Sequence, residues 1–431
     1  MIVRSVVVLL VLAGLARPTE AARYSLQQLL DKVAHDYAGV KFAEAVVTST
    51  EAQVSQARRG WAPTGDITVA LGPTPNIQCD PAGNNCGPQW DRWNIALYLG
   101  VNLYQPIFNF GKVAAATAQA QANVDVNKGY LGAAKADVMV NAMRAYWVIK
   151  WARASRDTLD EGIEKLAAWT TKIEDDLNAS RGNYYEGDLA RLKIALDEAK
   201  LTRGDIMRVY SYAEAGLKVL TDDEHADVDG EELEFMDSIS RPVSYWIDAA
   251  RVHRPESKVQ DAVLAAAKGY HRLKTAEMAP DLGLQANASY LYAPEINAPI
   301  SKNGSLSLML TLRTPLDFAV RYGRLQQARS DEKAAAQRRR AAFDNIVLEV
   351  DRAHADAEEA RARATLLGHA AKISRGWYNS IDQNMSAGLV TDGREFVDAA
   401  RAYFGYRIRY LQAILDANLT VVALRRVTGI D

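Results

Sequence analysis

The chain has 431 residues, 48% of them hydrophobic, and a formal net charge of -2. That length suffices for two ordinary domains, and nothing in so even a charge balance points to a protein built to hold a polyanion such as nucleic acid. Past the first residues no run reaches the roughly 18 apolar residues a membrane helix needs, so any insertion into lipid must use strands.

The chain opens MIVRSVVVLLVLAGLARPTEAAR: one Arg, an apolar run from Val6 to Leu15, then small residues. This reads as a secretory signal over residues 1–22, cleaved between Ala16 and Ala22, and it predicts an exported protein. The absence of a Cys in that region argues against an N-terminal lipid anchor. A helix is expected from Ser25 to Ala62. GDITVALG and WNIALYLGVNLYQ then alternate with period two, predicting strands over 64–72 and 92–105. Between them lies CDPAGNNC. For an exported chain Cys79 and Cys86 read as a disulfide clipping that loop, with a metal site as the weaker alternative, since the loop holds no further Cys or His.

After QPIFNFGK the pattern turns helical to Asn178. Val124, Leu131, Val138, Ala145, Ala152, Leu159, Leu166 and Ile173 recur every seven residues, the spacing of a left-handed supercoil. A shorter helix is expected from Asp188 to Leu220. The acidic stretch 222–240 reads as a solvated linker. Its D-x-D-G core is reminiscent of a calcium loop, but Met236 stands where the bidentate Glu belongs.

The second half repeats the first. NASRGNYYEGD from Asn178 aligns with NMSAGLVTDGR from Asn384, and RRGWAPTGDITVALG from Arg58 parallels LKTAEMAPDLGLQAN from Leu273. A period near 200 residues predicts two internal repeats, 23–221 and 241–431. The second supplies a helix from Pro242 to Ala279, strands over 281–292 and 304–314, and a long helix whose seam includes Phe343/Ile346, Val350/Ala353, Ala357/Ala360, Ala364/Leu367 and Tyr378/Ile381. A final helix runs from Arg394 to Val427. In each half the two shorter helices together equal the long one in length, so they can stack end to end and cover it. Pro63, Pro106, Pro280 and Pro315 mark the exchanges between strand and helix, where a residue lacking N–H is tolerated.

Each predicted strand has one apolar and one polar face. Ile67, Val69 and Leu71 share a side; so do Leu306, Leu308, Leu310 and Leu312, opposite Ser305, Ser307 and Thr311. Trp93, Tyr98, Tyr104, Tyr290 and Tyr292 sit toward strand ends, where membrane barrels carry interfacial aromatics. An open sheet cannot sit in lipid with unpaired edges. Four strands are too few to close, since about eight is the smallest barrel, so other copies must complete the sheet. Three copies would give twelve strands. A soluble sandwich with one buried face is the plainer reading of the same strands.

The signal, the duplicated strand–helix halves, QPIFNFGK before the long helix and AGLVT at a helix turn together resemble the TolC family of outer-membrane efflux proteins. The resemblance implies a mainly α chain with a four-stranded sheet. It implies a homotrimer with a 12-stranded outer-membrane β-barrel, surrounded by outer-membrane lipid and continued by a 12-helix periplasmic α-barrel. The implied function is a passive exit duct working with a periplasmic adaptor and an inner-membrane pump, in tripartite efflux or type I secretion. No enzyme chemistry, cofactor or metal is implied. The six histidines are scattered, and no phosphate loop or nucleophile elbow appears.

The implied sites lie at the two helix turns. Gly182 and Gly388, suited to the positive φ of a helix end, with Leu389 and Thr391, match the family's adaptor-contact tip; Asn183 departs from it. Asp188, Glu395 and Asp398 match the periplasmic constriction, where three-fold rings of carboxylates would favour cations. The second half carries one extra residue between Gly388 and Glu395. The plainer reading of Asp188 is that it starts a helix. Arg181, Tyr184 and Tyr185 would latch the closed tip, or the tyrosines would simply pack. A periplasmic coiled-coil scaffold without a pore is the rival function.

Overall fold

The structure is a computed structural model describing residues 23–80, 86–180, 184–230, 232–236, 239–292, 302–387 and 393–430. The expected signal (1–22) and the tip residues Arg181, Gly182, Gly388, Leu389 and Thr391 lie outside the described residues.

In chain order the elements are β1 (Arg23–Tyr24), α1 (Leu26–Asp36), α2 (Ala38–Arg58), a 3-10 turn (Arg59–Trp61), β2 (Thr64–Cys79), β3 (Cys86–Phe108), α3 (Lys112–Asn178), α4 (Glu186–Thr221), β4 (Asp227–Val228), α5 (Val243–His253), α6 (Pro255–Ala276), β5 (Asp281–Tyr292), β6 (Lys302–Arg313), α7 (Phe318–Ser386) and α8 (Gly393–Thr428). The order from α1 to α4 recurs from α5 to α8, and the helix lengths recur with it: 67 and 69 residues for the long pair, 36 for each helix that follows.

Each expected short helix before the strands is in fact two. Tyr37 (ψ 131°) and Arg254 (ψ 125°) are extended and break the chain between α1 and α2 and between α5 and α6. At Arg254 the reason is local, because Pro255 excludes the α region for the residue before it. Ser25 starts α1 with a capping box: its hydroxyl accepts from the Gln28 N–H, and the Gln28 side chain accepts from the Ser25 N–H.

The chain divides into a strand unit, Glu44–Tyr130 with Glu256–Phe343, and a helical unit made of the remainder. The strand unit holds one antiparallel sheet of order β2-β3-β5-β6. β2 and β3 run further than alternation alone suggested, to Cys79 and from Cys86, and the backbone register pairs those two positions. Their side chains lie outside the described residues, so the expected disulfide stays an expectation. Pro63 and Pro280 immediately precede β2 and β5, and Pro315 lies between β6 and α7. Pro106 does not end its strand: it pairs with Gly283 at a register irregularity, and β3 continues to Phe108. A bulge is where a missing N–H interrupts the ladder least.

The helical unit has two cores. One gathers Leu29, Val33 and Val40 around Val138 to Leu159 of α3, with Leu217, Leu415 and Val422; the other lies where α3 and α7 end and α4 and α8 begin. The heptad line on α3 is buried at Val138, Ala145, Ala152, Leu159, Leu166 and Ile173, and on α7 the buried line includes Ile346, Val350, Ala357, Ala360, Ala364, Tyr378 and Ile381.

The acidic stretch 222–240 is not simply a solvated linker. β4 pairs in parallel with β1, Arg23 opposite Asp227 and Tyr24 opposite Val228, and Ala226 and Val228 are buried. Its carboxylates find donors: Tyr24 Oη donates to Asp223 at 2.9 Å, Tyr146 Oη to Asp229 at 3.0 Å, and Arg153 to Asp227. Buried Asn418 fastens the far end, accepting from the Met236 N–H and donating to the Glu234 carbonyl, both at 2.8 Å.

Candidate functional site

Two places in the molecule carry the functional reading: the faces of the sheet and the helix turns. In the sheet, the register lines up like with like across all four strands. Ile67, Val101, Ala288 and Leu306 form one cross-strand row, and Gly65, Leu103, Ala286 and Leu308 the next. The opposite face carries the row Asp66, Asn102, Asn287 and Ser307. That polar row is knitted by hydrogen bonds: Asn102 Nδ2 donates to Asp66 Oδ2 at 3.1 Å and Asn287 Nδ2 to Ser307 Oγ at 3.4 Å. Ser289 and Ser305 share a bond of 2.7 Å one row away.

The apolar rows have no cover. Leu306 is 83% exposed and Ile67 75%, with Val69, Leu71, Ile95, Leu308, Leu310 and Leu312 similarly open. The chain therefore does not fold its sheet into a sandwich with a buried face. Exposed contiguous apolar surface of this kind marks an interface with lipid or protein. Aromatics flank it: Trp90, Trp93, Tyr290 and Tyr292 toward the strand tips, and Trp61, Phe108, Phe110 and Phe318 toward the helices. The second group was not singled out from sequence. Its signal was available, because Phe108 and Phe110 bracket the very turn that QPIFNFGK spells. Among the described residues no helix is long and apolar enough to cross a membrane.

That turn is built from backbone special cases. Phe110 (φ 49°) and Gly111 (φ 84°) are consecutive left-handed residues, and Phe108 and Phe110 pack edge to face at 4.7 Å. The first residue of α3, Lys112, reaches Asp281 at the start of β5 at 2.7 Å. Gln105 Nε2 donates to the Trp61 carbonyl at 2.8 Å. Strand and helix are thus locked at the point where one becomes the other.

At the helix turns the structure separates the three expected carboxylates. Asp188 is buried (8% exposed) at the start of α4, where its Oδ2 accepts from the Tyr185 N–H at 3.1 Å. It starts the helix, and it also abuts the second half. A Cβ built on Gly393 would lie 2.9 Å from the Asp188 Cβ, so only glycine fits there without a shift. Glu395 and Asp398, in the first turns of α8, are exposed. Tyr185 is exposed and Tyr184 half-buried; burial, then the Asp176 and Asp188 carboxylates, push the Tyr184 phenol above its ordinary value.

What joins the two halves here is aromatic. Phe396, fully buried, lies 5.0 Å from Trp169 and 5.9 Å from Tyr378, and Tyr378 stacks on Tyr403 at 5.2 Å. Trp169 Nε1 donates to Asp382 Oδ1 at 3.1 Å, tying α3 to α7. Sequence reasoning had Tyr378 in the seam but missed the rest. Trp169 falls outside the heptad line, and nothing local tells Asp382 that its partner lies 213 residues away. Among the described residues no cluster of His, Cys, Asp and Glu is placed to hold a metal.

Comparison with known proteins agrees with this geometry. Residues 246–430 match the family model described as outer membrane efflux protein. Protein CyaE of Bordetella pertussis is 28% identical over 329 residues, which are 73% of this chain and 65% of that protein. The chain thus spans a little under two thirds of the length of the curated relative it matches. Crystal structures of CusC superpose with a TM-score of 0.78 at 14% identity, covering 95% of this chain and 92% of that one. The Campylobacter jejuni CmeC outer membrane channel gives 0.78 at 14% identity, covering 94% and 85%. Residues 246–430 thus match the outer membrane efflux protein family, and the chain as a whole has the fold of those outer membrane channel structures.

Proposed function

We propose that three copies of this chain complete one another's sheets into a twelve-stranded barrel in the outer membrane of a Gram-negative cell, continued into the periplasm by the helices. The barrel is a passive exit duct. An inner-membrane pump and a periplasmic adaptor supply substrate and energy, and no cofactor or covalent chemistry is involved. The single observation that carries this reading is the sheet with an uncovered apolar face, a hydrogen-bonded polar face and two open edges.

Parity supports it. β2 and β6 edge an antiparallel sheet with an even number of strands, so β6 of one copy meets β2 of the next antiparallel and the ring closes without a mismatched pair. In lipid such closure is required, because each unpaired edge N–H or C=O costs several kcal/mol. A pore-less periplasmic scaffold is not favoured: it would leave the leucines of β6 in water and give the polar row nothing to line. Glu395 and Asp398 are the carboxylates we place at the periplasmic entrance, with the tips 181–183 and 388–392 meeting the adaptor.

The test is reconstitution of detergent-extracted protein into planar bilayers. Trimers with stable small-ion conductance are expected. A monomer that stays in water without detergent would refute the duct.

A further inference from the structure

Several helices begin or end at one place in the helical unit. α1 starts there at Leu26, α5 stops and α6 starts at the Arg254 break, and α8 finishes at Thr428. Helix ends cannot interlock along their lengths as helix middles do, and against the flank of α3 they leave a cavity of about 220 Å³. Its surroundings are tight. A Cβ on Gly429 would lie 2.7 Å from the Arg254 backbone, and one on Gly132 would lie 3.3 Å from the Pro255 side chain. Gly429 is left-handed (φ 70°) and its N–H donates to the Arg425 carbonyl at 2.8 Å, which turns the end of α8 back against the α5–α6 break. Where these walls meet they are already in contact, so small shifts cannot close the space between them.

The lining is divided in character. Leu26 and Leu30 of α1, Met139 and Met143 of α3 and Met236 of the acidic stretch make most of it apolar, and thioether chains mould to irregular apolar ligands. Lys135, His253, Arg425 and Arg426 add basic side chains from α3, α5 and α8, and none of the described lining residues is acidic. Arg426 donates to Asp137, which lies outside the lining, at 2.7 Å. Lys135 and both arginines are half-buried. Basic residues in the last turns of α5 and α8 are accounted for by the helix dipole alone. Lys135, in the interior of α3, is not, and neither is the convergence of all four on one apolar hollow.

We propose that this cavity seats a single-chain amphiphile with a carboxylate head, a fatty acid of about ten carbons. A cavity of about 150 Å³ holds one benzene ring, so this one has room for about nine carbons of chain beside the head group. The tail fills the apolar space between α1 and α3. The carboxylate meets the guanidinium and ammonium groups at its edge, a charge-assisted pairing that a neutral or cationic head group forgoes. The site uses neither the sheet nor the helix turns, so it stands independently of the duct.

Photolabelling of the full chain in a nonionic detergent tests the seat, using decanoic acid with a diazirine at its far end and peptide mapping of the product. Label is expected on α1 and on α3 around Met139 and Met143. Unlabelled decanoate should compete at least about tenfold better than decyltrimethylammonium, as one or two charge-assisted bonds imply. Lys135→Gln with Arg425→Gln is expected to erase that preference. Ala136 also lines the cavity; Ala136→Leu adds about three carbons to the wall, so the best competitor should shorten from about ten carbons to about seven. A change in preferred chain length is not something misfolding produces. The charge variant leaves the lining volume nearly unchanged and keeps the test decisive if Ala136→Leu does not fold. Label confined to the strands, equal competition by the cationic amphiphile, or an unchanged length preference in folded Ala136→Leu overturns the proposal.

Discussion

The β6 leucines and the aromatic cluster at the helix turns are equally apolar, yet the chain covers only one of them. Phe396 is wholly buried among Trp169, Tyr378, Tyr403 and Phe404, whereas Leu306 to Leu312 stand open along one face. Water is the solvent that shaped the first region: burying a large side chain there gains about 1.5–3 kcal/mol. At the sheet the same chemistry is left outside, the mark of a surface that meets lipid or another protein chain. Reading burial in a single chain thus separates the part the chain covers itself from the part it leaves for an apolar partner, which the proposed duct supplies as lipid.

The comparison breaks first at the sheet. Leu308→Arg places a charge on the open face, at a cost of about 2–4 kcal/mol at mid-bilayer in every copy. Its expected result is loss of outer-membrane trimers on fractionation, while Ser307→Arg on the polar face keeps them. If both variants insert equally, the face does not meet lipid. Phe396→Ala acts in the opposite region. A cavity in the aromatic core is expected to cost about 3–5 kcal/mol, seen as a lower midpoint of thermal unfolding with membrane targeting retained.

Smaller effects sharpen the picture of the turns. Glu395→Ala with Asp398→Ala is expected to weaken divalent-cation block of the conductance by roughly tenfold or less, as removal of a carboxylate ring should; unchanged block would place those residues away from the current path. Asp188 is left intact in that variant because it holds the start of α4. Smallest is the alkaline response. Burial and the neighbouring carboxylates raise the Tyr184 phenol above 10.0, so the folded chain keeps that proton at a pH where the unfolded chain loses it. Stability is unaffected below the unfolded value and declines as pH rises toward the folded one. Tyr184→Phe should remove part of that decline in thermal midpoint above about pH 10, and an unchanged slope would assign it to other tyrosines.

Much of this was legible in the sequence because it is periodic. The heptad from Val124 to Ile173 marked the buried line of α3, and alternation at GDITVALG and SLSLMLTLR marked both faces of their strands. What escaped reading depends on partners far along the chain. The stretch 222–240 reads as solvated because its carboxylates are local, while its holders are distant: Arg153 binds the Val228 carbonyl across 75 residues and Asn418 the Glu234 carbonyl across 184. The crowding of Asp188 against Gly393 likewise needs both halves at once. The helix break at Tyr37 has no account in its neighbours.

The sheet's central seam is the pairing of β3 with β5, Leu97 opposite Tyr292 and Val101 opposite Ala288. Those partners lie almost two hundred residues apart, with α3 to α6 between them, so loop-closure entropy must be met before the seam gains anything. A hairpin of β2 and β3 alone is at best marginal in water. The half that emerges first must therefore wait with its apolar ribbon unfinished until β5 and β6 arrive, so the four-stranded sheet is a late product of folding.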